Sequence, residues 1–235
     1  MFPLKDDIPT RRLPVITLAL IALNVVAFFG FQGAYFHDAQ FNARVADWGA
    51  VPYDLTHSPG AHTLLTAIAA MFMHGGILHL AGNMLFLWVF GNNIEDSMGR
   101  LRFVAFYLVG GLAALALQVA VEPSSTVPTI GASGAVAAVL GAYALLYPRA
   151  RVVTLVFIIV FFTVITVPAL LVLGAWFVMQ ALYGFFSVAQ PMDGGGGVAY
   201  FAHIGGFVFG LLAIKLFADR VHRDYRAPHQ VPAYR

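Results

Sequence analysis

Six stretches of roughly twenty apolar residues dominate this chain and restrict what it can fold into. They are read at 13–33, 76–95, 102–121, 131–148, 168–188 and 199–218. A run of that length covers the hydrocarbon core of a bilayer. Each must be a helix, because unpaired backbone groups are too costly in lipid. Composition agrees: 60% of the residues are hydrophobic and only 10% charged, against about 25% charged in a soluble domain. The expected fold class is all-α: a polytopic membrane protein with a bundle of six transmembrane helices in a single domain over 1–235.

Basic residues orient the bundle. With the N-terminus inside, Lys5, Arg11, Arg12, Arg100, Arg102, Arg149, Arg151, Lys215, Arg220, Arg223, Arg226 and Arg235 all fall on the cytoplasmic side, and only Arg44 falls outside. Twelve against one is a strong positive-inside signal. It implies an even number of spans, with residues 1–12 and 219–235 as cytoplasmic ends. Residues 1–10 are polar and no convincing small-residue cleavage site follows, so no cleavable signal peptide is evident. The stretch 152–188 is apolar for 37 residues and interrupted by Pro168. Two crossings there would put the C-terminal cations outside. Residues 152–167 are therefore read as a partly buried or interfacial return on the cytoplasmic side, with the fifth helix starting at Pro168, a residue suited to a helix start.

Several functions are disfavoured. The net charge of +2 is too small to suggest nucleic acid. With no cysteine, disulfides, thiolate metal sites and a cysteine nucleophile are ruled out. His74 and His79 do not have a helical ligand spacing and no H-E-x-x-H occurs, so neither a metal nor a cofactor is expected. All eleven Asp and Glu lie in termini, loops or span ends, which argues against a proton-coupled transporter.

The polar residues inside the spans carry the chemistry. Gly131-Ala132-Ser133-Gly134 opens the fourth helix, where orphan N–H groups can stabilise an oxyanion. Alone, the motif is weak and better explained by close helix packing. His203 lies one turn before Gly206, and Gly206 and Gly210 form a small-residue face on the sixth helix; alone, it is better read as an interhelical hydrogen-bonding group. On the second helix His79 and Asn83 are four apart and share a face, while His74 is expected at the surface or in the loop. With the N-terminus inside, helices two, four and six run from outside to inside. At about 1.5 Å per residue, all four groups lie roughly 5–12 Å below the outer surface. Independent packing roles would not require a common depth. One nucleophile, one base and two oxyanion donors at that depth favour catalysis.

At these residues the sequence resembles the rhomboid family of intramembrane serine proteases, over about 60–220. The paired histidines and asparagine, the Gly-x-Ser-Gly and the Ala-His-x-x-Gly-x-x-x-Gly occur in the family's order. The resemblance implies Ser133 as nucleophile and His203 as general base. It also implies an oxyanion site made by His79, Asn83 and the Ser133 N–H. Substrates would be transmembrane segments of other proteins cut near the outer leaflet, and the setting a bacterial plasma membrane. By the same analogy the fifth helix, with Trp176 and Phe177, is a lateral gate. Two departures stand out. Ala137 occupies a position one turn after the nucleophile where members often carry an aromatic residue against the base, and Trp48 is followed by Gly49 where some members have a Trp-Arg pair. The reading adds a movable lid at 190–197, containing Asp193 and four glycines, and for Gln118 either a water-holding or a packing role. The alternative is a catalytically silent relative that binds membrane clients.

Overall fold

The computed structural model describes residues 2–33, 39–158, 161–189 and 198–218. Helices occupy all six apolar stretches. Helix α1 (Val15–Val26) continues as a π-helical turn, Ala27–Phe31. The loop that follows contains α2 (Ala39–Trp48), α3 (Pro52–His57) and α4 (Ala61–Ala69). The bundle then adds α5 (Ile77–Met98), α6 (Arg100–Val121) and α7 (Ser133–Leu146). It closes with α8 (Ala169–Ala189) and α9 (Tyr200–Phe217).

Four of these, α5, α6, α8 and α9, are long and apolar enough to cross a membrane. The protein is thus an integral membrane protein, but the six spans of the sequence reading are matched by length at only four. Val15–Phe31 and Ser133–Leu146 are shorter apolar helices. For α7 the reason is its place: residues 134–144 are all buried, enclosed by other helices, and its first turn starts within the bundle. The lipid-facing character is clearest on α8, where Leu171, Val178, Phe185 and Phe186 are all exposed. Such a continuous apolar surface is unusual on a protein surrounded by water.

The expectation of an all-helical chain fails at both sides of the fourth loop. Strand β1 (Phe2–Asp6) pairs with β2 (Arg151–Ile158), which pairs with β3 (Phe161–Pro168), all antiparallel. Within 152–167 the described residues are therefore two antiparallel strands, not an irregular return. Their valines, threonines, isoleucines and phenylalanines are β-branched or aromatic, side chains suited to a pleated surface. Val152 and Thr154 are fully buried, the period of two that a strand imposes. Pro3 lies on the outer strand β1, beside an irregularity in register between Pro3 and Lys5, where a missing N–H is tolerated. The sheet caps the end of the bundle where α5 and α7 finish. Asn93 and Tyr143 both donate hydrogen bonds to Oδ2 of Asp6 there.

Close approach of α7 and α9 fixes the centre. A Cβ at Gly206 would run into the carbonyl oxygen of Gly134, and one at Gly210 into that of Ala138. Glycine at both positions lets the two backbones touch, as small residues do in membrane bundles.

Candidate active site

Ser133 is the first residue of α7, so its N–H has no acceptor inside the helix. Its Oγ lies 2.8 Å from Nε2 of His203 on α9. The glycine-mediated contact between α7 and α9 brings the two side chains together across 70 residues of sequence. On the other edge of the ring, Nδ1 of His203 lies 2.8 Å from Oε1 of Gln180 on α8. An amide oxygen only accepts, so Nδ1 carries the proton and Nε2 presents its lone pair to the serine hydroxyl. Trp176, one turn before Gln180, lies against the imidazole face with ring centres 5.6 Å apart.

His79 and Asn83 sit near the start of α5. The Gly75 N–H donates to Nδ1 of His79 at 3.2 Å, which leaves the proton of a neutral ring on Nε2. That nitrogen faces Gly131, where an added Cβ would stand 2.9 Å from it and 3.5 Å from Ser133 Oγ. Gly131 has φ +121°, a conformation open to glycine and strained for other residues. The space beside the hydroxyl is thus kept empty by a residue without a side chain, with an N–H donor on its far wall. Asn83 Nδ2 donates to the carbonyl of His79 at 3.0 Å and retains a second hydrogen. A small recess of about 30 Å³ adjoins Ser133, lined mostly by small residues including Ala50, Ala70, Gly111, Ala199 and Ala202.

With this geometry in view, likeness to known proteins is informative. The Rhomboid domain matches residues 61–220. The chain belongs to the rhomboid family. It is 30% identical over 152 residues to Rhomboid protein 1, mitochondrial, of Saccharomyces cerevisiae, covering 63% of this chain and 40% of that protein. To the mouse presenilin-associated rhomboid-like protein, mitochondrial, it is 30% identical over 159 residues, 66% of this chain and 39% of the mouse protein. Rhomboid protease GluP of Bacillus subtilis is 34% identical over 130 residues, 55% of this chain and 24% of that protein. This rhomboid therefore spans less than half the length of each of these relatives.

Other site residues fall differently from the sequence reading. His74 is fully buried, not at the surface. Gln32 clamps its backbone, donating to the His74 carbonyl at 3.0 Å and accepting from its N–H at 2.8 Å, and the ring packs 5.1 Å from that of His79. Gln118 bonds to protein groups, donating to Glu122 and accepting from the Ala202 N–H at 3.2 Å, so it fastens the start of α9. The first loop is anchored without a Trp-Arg pair: Ala50 and Thr129 exchange backbone hydrogen bonds, and Trp48 packs edge-on to Phe31. The segment 190–197 read as a lid lies outside the described residues. Gln180 was missed altogether. The signal was present, since it is the one amide in 168–188 and polar groups inside a span are costly.

Proposed function

We propose that this rhomboid is a serine endopeptidase that cleaves transmembrane segments of other membrane proteins. The observation that carries this reading is the 2.8 Å contact of Ser133 Oγ with His203 Nε2, with the lone pair of the imidazole directed at the hydroxyl. In this mechanism Ser133 Oγ attacks the scissile carbonyl carbon while His203 Nε2 takes its proton. The tetrahedral oxyanion occupies the space beside Gly131 and accepts from His79 Nε2, Asn83 Nδ2 and the Ser133 N–H. His203 then protonates the leaving amine. Water, activated by the same nitrogen, hydrolyses the acyl-enzyme. No metal or cofactor takes part.

Water reaches the serine through the recess, whose alanine and glycine walls suit a small side chain next to the cut. The substrate arrives laterally from lipid past α8 and unwinds locally, since a helix keeps its carbonyls bonded internally. We assign the whole of 1–235 to one domain with six spans and both termini cytoplasmic, on the strength of the basic-residue asymmetry. The relatives include mitochondrial and bacterial proteins; we assign this one to a bacterial plasma membrane. A client-binding relative without catalysis would have no need of an aligned Ser–His pair.

The test is reconstitution of the purified protein with a panel of single-span proteins. Cleavage by the wild type and none by Ser133→Ala is the expected result. Cleavage retained in Ser133→Ala refutes the assignment.

A further inference from the structure

We propose that Gln180 is a positioning residue that holds His203 in its base-competent tautomer, so that the working unit is Ser133–His203–Gln180 and its alignment depends on α8 being seated. This rests on the hydrolytic role proposed for Ser133 and His203.

The ring has two neutral tautomers, and each edge of it faces one partner. With the proton on Nδ1, both hydrogen bonds form: Nδ1–H to Gln180 Oε1 and Ser133 Oγ–H to Nε2, each at 2.8 Å. With the proton on Nε2 and the amide oriented as it stands, the Gln180 oxygen and Nδ1 would oppose one another as two acceptors, and the base would have no lone pair for the serine. His203 and Gln180 are each only 8% exposed, so water is poorly placed to replace the bond between them. A carboxylate would orient the ring as well, but a charge in so apolar a setting carries a desolvation penalty that a neutral amide avoids.

The remaining neighbours leave this work to α8. On α7, one turn after the serine, Ala137 is fully buried and has no polar atom to offer. Trp176 on α8 covers the ring face, while Gln180 on the same helix face holds its edge. One helix therefore supplies both constraints, and it is the helix with the most lipid-exposed apolar surface. Movement of α8 by about 1 Å takes the Nδ1–Oε1 distance beyond hydrogen-bond range. The base is aligned when α8 is home and loses its orienting bond when α8 swings out.

The experiment compares the purified full-length protein with Gln180→Leu, which removes the acceptor at similar volume, and Gln180→Glu, which keeps one. Three readouts are taken: kcat and KM for a cleaved single-span protein, the rate of labelling by a fluorophosphonate, and the ¹⁵N signals of the His203 ring. For Gln180→Leu we expect kcat and labelling to fall about 10- to 100-fold with KM within about twofold, and a mixed-tautomer ring. For Gln180→Glu we expect recovery to within about fivefold of wild type. Wild-type kcat and labelling in Gln180→Leu, or equal impairment in both variants, overturns the proposal. Should the wild type neither label nor cleave, the hydrolase reading fails, and the ring signals still decide: an Nδ1–H tautomer lost in Gln180→Leu upholds the positioning role, and one unchanged refutes it.

Discussion

Glu95, near the end of α5, closes the open start of α1 by accepting from Thr17 twice, from its N–H and its hydroxyl, both at 2.8 Å. The Ile16 N–H donates to the other carboxylate oxygen at 3.0 Å. Pro14 precedes α1 and makes no side-chain cap, so a neighbouring helix supplies what the local sequence lacks. Glu95→Ala leaves three donors without their acceptor. It should lower stability by about 2–4 kcal/mol, read as an earlier midpoint in denaturing-detergent titration, with the Ser133–His203 contact untouched.

The N-terminal strand should dock in a pH-dependent way. Burial, the largest cause, pushes the Asp6 carboxyl up to about 7, against an ordinary 3.8; the Tyr143 hydrogen bond opposes this and Asp7 adds to it. The folded protein thus holds a proton that the unfolded chain releases at lower pH. The stabilising contribution is complete below about 4 and is lost as pH rises through about 7. Thermal midpoints should fall between pH 5 and 8 in the wild type by more than in Asp6→Asn, whose side chain does not titrate.

Gly131→Ala tests the empty space beside the hydroxyl. The new Cβ would stand 2.8 Å from Cε1 of His79 and force a strained φ. Turnover should drop by about 10²–10³, the usual cost of one oxyanion donor, measured as kcat on a cleaved single-span protein.

Gly206→Val tests the seam between α7 and α9. Its side chain meets the Gly134 carbonyl, so α9 must move away from α7. Stability should fall by about 1–3 kcal/mol or more and fluorophosphonate labelling should collapse. Gly174→Ala on α8 is the contrast, since nothing lies within 4 Å of an added Cβ there. It should label like wild type.

The parts of this molecule that were legible in the sequence are those where polarity is expensive. Ser133, His203, His79 and Asn83 stood out because lipid-buried polar groups need a reason. Their convergence at one end of the bundle follows from each being a few residues past a helix start. Gln180 obeys the same rule, yet pairing it with His203 requires knowing which face of α8 turns inward. The strands were illegible for another reason: hydropathy measures length and apolarity, and two apolar strands in series satisfy both. His74 was misplaced because its burial is set by Gln32, forty-two residues away, a partner that local polarity does not reveal.

The seam between α7 and α9 also has a consequence for biosynthesis. The serine enters the membrane with α7, but its base arrives only with α9, behind the two strands and α8. Until α9 packs, the hydroxyl of Ser133 lacks the imidazole partner that it has in the folded bundle. On the proposed hydrolytic reading, proteolytic competence waits for the insertion of α9, so a chain translated only as far as α8 is inert beside the other helices being threaded into the same bilayer.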